Sequence, residues 1–160
     1  MSSSNKRSTS LEDMGNPFRP IVNRNESDIY RKTFGALICL GVPMNLRGFD
    51  YLASAITLAV CDPSFLHGVT KRLYPAVAKT YGTNQSCVER NIRTAIESTF
   101  LNRDLDILHD YFGTMINSES GKVKNSVFIS KIAANVRLEM LTENDSKTEA
   151  QSCSRKPPAV

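Results

Sequence analysis

Apolar residues in the middle of this chain recur at helical spacing, and almost no stretch alternates apolar and polar residues as a strand would. Within residues 81–100, for instance, Val88, Ile92, Ala95 and Ile96 fall on one side of a helix, and Phe100 extends the same stripe. Helices with one apolar face are stable only when they bury that face against each other. The spacing therefore predicts an all-α fold.

Polar, Ser-rich sequence at both ends limits the folded part to one small domain. Residues 1–26 contain Pro17 and Pro20 and show no sustained periodicity, and residues 142–160 have the same character. Such segments cannot bury enough apolar surface to offset the entropy lost on folding. We therefore predict a disordered arm, a helical domain over residues 27–141, and a disordered tail.

Six helices are predicted within that domain from apolar spacing and from capping and stop signals. The second carries the broadest apolar face and is expected at the centre of the domain. Pro75 should kink or divide the third, because proline lacks the backbone N–H that an interior turn requires. The predicted helices span residues 28–40, 48–61, 63–81, 84–102, 105–112 and 126–141.

Positive charge is concentrated in one part of the sequence. The whole chain has 20 Lys and Arg against 16 Asp and Glu, a net charge of +4. Residues 71–103 contain six basic and two acidic residues, so this segment alone has a net charge of +4. A localised basic surface is the electrostatic footprint expected of a protein that binds nucleic acid.

Several other classes of function find no support in the sequence. The four cysteines form no C-x-x-C pair, and no Cys/His spacing matches a zinc site. No Gly-rich phosphate loop or Ser/His/Asp arrangement points to an enzyme, and no cofactor is implied. No secretory signal and no apolar run long enough to span a bilayer is present. We expect a non-enzymatic, cytoplasmic protein that does not contact membranes.

Residues 71–103 have the layout of a helix-turn-helix: a helix, a turn containing Gly82, and an amphipathic helix with Arg90 and Arg93 early on its outer face. In this motif the N-terminal residues of the second helix meet base edges in the major groove, where arginine can bond two acceptors of guanine. Basic residues beside the groove would contact phosphates. These are Lys71, Arg72 and Lys79.

The same residues also have a purely structural interpretation. Arg93 lies four residues after Glu89 and four before Glu97, and such pairs stabilise any exposed helix by about 0.2–0.5 kcal/mol each. Ser86 and Glu89 have the spacing of a capping box, which would use both side chains to begin the helix. From these residues alone, a solvated basic face and a DNA-reading face both remain open.

Longer stretches resemble one known family. They are GVPMNLRGFDYLASAI, VTKRLYPAVAKTYGT, SCVERNIRTAIE, FGTMINSESGKVKNSVFI and KIAANVRLEM, and the resemblance extends from about residue 38 to residue 140. They are similar to the DNA-binding effector domain of the sporulation stage-zero A response regulators of Firmicutes. The resemblance implies a six-helix transcriptional regulator that reads a short GC-containing box in double-stranded DNA. It also implies a dimer on tandem boxes, and the sigma subunit of RNA polymerase as a partner.

The resemblance assigns roles along the VERNIR helix. Glu89, Arg90 and Arg93 match the family's base-contacting residues, whereas Thr94 stands where the family usually has His and Cys87 where it often has a basic residue. Residues expected at the DNA backbone or at flanking positions are Lys71, Arg72, Lys79, Ser86, Thr94 and Lys122, with Lys124 as a weaker candidate.

Regulators of this family begin with a phosphoacceptor receiver domain about as large as this whole chain, and residues 1–26 leave no room for one. We therefore expect no control by phosphorylation within the chain. An alternative function follows from the same observation. The protein would be a protein-interaction module that sequesters a full-length sporulation regulator or competes with it.

Overall fold

Six α-helices make up most of the structure, a computed structural model that describes residues 24–102 and 104–153. They are α1 (Arg24–Cys39), α2 (Arg47–Cys61), α3 (Tyr74–Thr80), α4 (Gln85–Asn102), α5 (Leu105–Phe112) and α6 (Asn125–Cys153). No strand occurs among these described residues. The prediction of an all-α, six-helix fold is confirmed.

The central helix of the fold is α2, because almost every one of its side chains is apolar or small. From Gly48 to Val60 every residue except Asp50 is buried. Helices α1, α4 and α6 pack around it. The guanidinium of Arg137, on α6, donates to the carbonyl oxygen of Val60 at 3.1 Å, near the end of α2 where carbonyls lack partners within the helix. The central position predicted for the second helix is confirmed.

The predicted third helix is divided into three segments. Pro63–Gly68 form a 3-10 helix, Val69–Leu73 form a π-helical turn, and only Tyr74–Thr80 form an α-helix, α3. Pro75 lies in the first turn of α3, where a missing N–H leaves no intrahelical hydrogen bond unmade. The division before Tyr74 therefore occurs beside Pro75, as predicted, whereas the division between Gly68 and Val69 was not predicted.

The first and last helices are both longer than predicted. Helix α1 begins at Arg24, and α6 continues to Cys153 rather than ending at residue 141. The ammonium group of Lys32, on α1, lies 2.5 Å from a carboxylate oxygen of Glu143, so polar contacts connect the extended part of α6 to α1. Two parts of the predicted disordered ends lie outside the described residues, namely 1–23 and 154–160.

No single helix within the described ranges has the length and apolar composition needed to cross a membrane. Helix α2 and the segment Pro63–Thr80 reach that composition only as a pair, and the pair is bent by 119°. Since α2 is the buried centre of the bundle, its apolar composition is accounted for by the core.

Candidate nucleic-acid interface

The turn between α3 and α4 is built around Gly82. Its φ of +62° is a left-handed conformation that glycine adopts without steric cost. The backbone N–H of Thr83 donates to the carbonyl oxygen of Ala78 at 2.9 Å, and that of Gly82 donates to Lys79 at 3.4 Å. This pair of bonds is a Schellman motif, which satisfies carbonyls at the end of α3 and directs the chain into α4.

Tyr81 fixes this turn to the central helix. Its ring packs edge-on against Tyr51, with 4.9 Å between ring centroids. Its hydroxyl group shares a 2.8 Å hydrogen bond with Ser54 and donates to the carbonyl oxygen of Asp50 at 3.3 Å. Burial raises the pKa of Tyr81 to about 12, so the hydroxyl keeps its proton near neutral pH. The entry to α4 is thereby held in one position.

Helix α4 begins with a different cap from the predicted one. The side-chain oxygen of Asn84 accepts a hydrogen bond from the backbone N–H of Cys87 at 2.8 Å, which makes Asn84 the N-cap. Because α4 begins at Gln85, Ser86 is already helical and cannot occupy the capping position. Glu89 pairs with Arg93 instead. The predicted capping box of Ser86 and Glu89 is therefore wrong.

Helices α2 and α4 approach each other closely at Gly48. A Cβ atom at this position would lie 2.1 Å from the carbonyl oxygen of Asn91 and 2.7 Å from the Cβ of Ala95, so no side chain fits. This contact sets the depth at which α4 packs on the core. The buried face of α4 consists of Val88, Ile92, Ala95, Ile96 and Thr99, with Phe100 partly buried.

The outer face of α4 presents two arginines. Arg90 and Arg93 are both exposed, as is Thr94. One guanidinium nitrogen of Arg93 forms an ion pair with a carboxylate oxygen of Glu89, one turn earlier on the helix. The hydroxyl of Thr94 donates to the carbonyl oxygen of Arg90 at 3.0 Å, so its proton is used by the helix itself. The structure thus places Arg90, Arg93 and Thr94 together on one exposed surface.

An open cleft of about 690 Å³ lies beside this surface. Glu89, Arg93 and Glu97 line it from α4, and Lys122 and Lys124 line it from the loop before α6. The ammonium group of Lys122 donates to a carboxylate oxygen of Glu97 at 2.8 Å. The cleft therefore brings Arg93 and Lys122 to one side of α4, although they are distant in sequence.

Asn125, the first residue of α6, connects three helices at this cleft. Its side-chain amide donates to the carbonyl oxygen of Glu89 at 3.4 Å, and its side chain also forms a hydrogen bond with Tyr74 of α3. Burial raises the pKa of Tyr74, so its hydroxyl remains protonated near neutral pH. Neither Asn125 nor Tyr81 was among the predicted site residues, since the partners of each are distant in sequence.

The remaining predicted phosphate contacts lie away from the cleft. Lys71 and Lys79 are exposed on the segments that precede α4. The guanidinium of Arg72 donates to the hydroxyl of Ser64 at 3.1 Å and lies 5.2 Å from the ring centroid of Phe65. Arg72 is thus held against the 3-10 helix. The described lining of the cleft includes none of these three basic residues.

The family described as "Sporulation initiation factor Spo0A C terminal" matches residues 34–136 of this chain. The matched segment is well over half of the 160 residues and contains the Gly82 turn, the whole of α4 and the cleft beside it. The match confirms the resemblance that the sequence segments indicated. This chain belongs to the family of C-terminal domains of the sporulation initiation factor Spo0A, which are DNA-binding domains of a sporulation regulator.

Proposed function

We propose that this protein is a sequence-specific regulator of transcription that reads double-stranded DNA with α4. The observation that carries the proposal is the exposure of Arg90 and Arg93 in the first half of a helix that follows the tight Gly82 turn. A helix fits the major groove, and the N-terminal half of the second helix of such a motif faces the base edges. Membership of a DNA-binding family supports the same class of function.

Three residues of α4 are assigned to the bases in this proposal. Arg90 and Arg93 each bond the O6 and N7 acceptors of a guanine, which accounts for a short GC-containing box. Glu89 accepts a bond from a cytosine amino group or, through its ion pair, orients the guanidinium of Arg93. The ion pair supports the second role, because an arginine held in one orientation loses less entropy on binding.

Phosphate contacts are assigned to the edges of the interface. Lys122 and Lys124 line the cleft from the loop opposite α4. In this proposal, one DNA strand passes alongside α4 and its phosphates meet these two lysines. Arg72, held by Ser64, contributes its positive charge rather than a directed bond. The other flanking contacts fall to Lys71, Lys79, Ser86 and Thr94, whose side chains are exposed around the turn and α4.

The resemblance also supports two partners and a location. Two copies bind tandem boxes as a dimer, and the sigma subunit of RNA polymerase receives the regulatory signal. The protein acts on DNA in the cytoplasm without a cofactor.

The test is an in vitro selection from a random duplex library with the purified protein at near-physiological salt. The proposal predicts an enriched GC-containing box, with tandem copies if the protein binds as a dimer. Arg93→Ala should lose the enrichment, while Arg31→Ala, a change of an exposed arginine on α1, should retain it. Weak, salt-sensitive binding without enrichment would contradict the proposal and favour a protein-interaction module that sequesters or competes with a full-length regulator.

A further inference from the structure

We propose that Glu97 limits the affinity of this interface for DNA. It holds the ammonium group of Lys122 in an internal ion pair and withholds that cation from DNA on which α4 is not fully seated. This inference rests on the proposed function, DNA reading by α4. It assigns a role to a carboxylate that none of the predicted DNA contacts included.

The ion pair joins two elements that are separate in sequence. Glu97 lies on α4, one turn beyond Arg93, and Lys122 lies in the loop before α6. The two side chains form a 2.8 Å hydrogen bond between ionised groups, a length typical of a charge-assisted bond. Lys122 remains 57% exposed and Glu97 39% exposed, so water and other ions can reach both groups. The pair is therefore formed but can be opened.

The cleft beside α4 contains a second pair of the same kind. Arg93 is paired with Glu89, as Lys122 is paired with Glu97, so each of two cations that line the cleft already has a carboxylate partner. A carboxylate oxygen and a phosphate oxygen both accept bonds from an ammonium group. A phosphate that replaces Glu97 as the partner of Lys122 must therefore offset the loss of this ion pair.

The free energy of this ion pair decides whether Lys122 contacts a phosphate when the protein binds the selected box or random DNA. Exposed ion pairs of this type shift an equilibrium constant by about 1.5- to 5-fold. When α4 is fully seated in its preferred box, base contacts fix a phosphate in register beside Lys122, and the pair is exchanged for a phosphate contact. On random DNA no such register exists, and Lys122 stays with Glu97. The ion pair thus lowers affinity for the selected box by its full free energy. It lowers affinity for random DNA by no more than that, because only the weaker phosphate contact of Lys122 is lost there.

The test compares wild-type protein with Glu97→Gln, a change that removes the charge and keeps the size of the side chain. Dissociation constants are measured over a range of salt concentrations on the selected box and on a random duplex. For the selected box, the Kd of the variant should fall about 1.5- to 5-fold with an unchanged salt slope, because Lys122 contacts phosphate in both proteins. For random DNA, the Kd should fall by no more than this, and the salt slope should steepen by about 0.9, because only the variant gains a phosphate contact there. The change in salt slope is therefore confined to random DNA.

Glu139→Gln is the matched control, since it removes the same charge from the part of α6 that lies beside α1. Glu139 lies 3.7 Å from Lys32 of α1 and is about 21 Å further along α6 than Asn125, which contacts α4. It should shift both affinities slightly and equally. In a Lys122→Gln background, Glu97→Gln should likewise change the two affinities no more than this control does.

Two results would overturn the inference alone. One is a salt slope on random DNA that Glu97→Gln leaves unchanged, and the other is persistence of the tighter binding by Glu97→Gln when Lys122 is already Gln. If neither wild-type protein nor the variant binds any duplex, the proposed function fails together with the inference. Thermal unfolding of each variant, compared with wild type, confirms that the changes in affinity are measured on folded protein.

Discussion

Gly48 of α2 lies directly against the backbone of Asn91 of α4: a Cβ atom on Gly48 would be 2.1 Å from the Asn91 carbonyl oxygen. This contact places the helix that carries Arg90 and Arg93 on the core with no intervening side chain. The exposed face of α4 thus depends on a residue of the buried central helix.

Gly48→Ala should destabilise the fold, because the added methyl group forces α2 and α4 apart. Overpacking of this kind costs about 1–3 kcal/mol in the free energy of unfolding, measured by urea unfolding. Gly35→Ala is the control, since an added Cβ at that α1 position meets nothing within 4 Å. It should stabilise the protein by about 0.4–1 kcal/mol. Equal effects of the two changes would contradict the close helix contact.

Tyr81 should make the free energy of unfolding decrease at alkaline pH. Its pKa is about 12 in the fold, against about 10 for an unfolded tyrosine. Because folding raises the pKa, the unfolded state loses its proton first. The stabilising contribution is complete below about pH 10 and is lost as the pH rises to about 12.

Tyr81→Phe has no hydroxyl to titrate, so its stability should decline less steeply than that of wild type in urea unfolding between pH 9 and 12. Burial also raises the pKa of Tyr30, Tyr74 and Tyr111, which supply the slope that remains. Parallel curves for variant and wild type would show that the Tyr81 hydroxyl is not buried as described.

The cap of α4 can be assigned by two alanine substitutions. Asn84→Ala removes the side-chain oxygen that accepts the bond from Cys87, and it should reduce the free energy of unfolding by about 1 kcal/mol. Ser86→Ala should change it by less than about 0.5 kcal/mol, because Ser86 is exposed within the first turn. A larger loss of stability in Ser86→Ala than in Asn84→Ala, measured by urea unfolding, would instead support the capping box of Ser86 and Glu89.

Thr33 offers a stabilising substitution. Its hydroxyl oxygen is buried and has no hydrogen-bond partner within the described part of the chain. Thr33→Val removes this buried polar group and should raise the free energy of unfolding by about 1 kcal/mol. Thr57→Val should not, since the Thr57 hydroxyl donates to the carbonyl oxygen of Ala53 at 2.8 Å. Calorimetric melting of both variants tests the contrast.

The parts of the fold that the sequence predicted correctly are set by local rules. Apolar spacing identified α2 as the central helix because burial on every side requires apolar or small residues throughout. Pro75 divided the third helix, and Gly82 formed the turn before α4, because each has a backbone preference that acts on its own neighbours. Such signals can be recognised within a few residues of sequence.

The parts that the sequence did not predict depend on contacts between distant residues. The bonds of Tyr81 to α2 and of Asn125 to Glu89 join residues 27 or more positions apart, and no periodicity encodes them. The extension of α6 is likewise stabilised by Lys32, 111 positions away from its partner Glu143. Even the α4 cap was misassigned by sequence, because Asn84 and Ser86 are both good capping residues.

Base reading by Arg90 and Arg93 can be distinguished experimentally from simple attraction between charges. Lys79→Ala, a change at an exposed lysine before the turn, should weaken binding about equally on all sequences and lower the salt slope by about one. This variant therefore defines the behaviour of a phosphate contact in the same protein.

The most direct measurement is the ratio of affinities for the selected box and a random duplex in wild type, Arg93→Ala and Lys79→Ala at one salt concentration. Loss of a two-point contact with guanine should reduce this ratio in Arg93→Ala by about 5- to 150-fold, while Lys79→Ala should keep the wild-type ratio. An unchanged ratio in Arg93→Ala, with equal losses on both DNAs, would contradict base reading by α4.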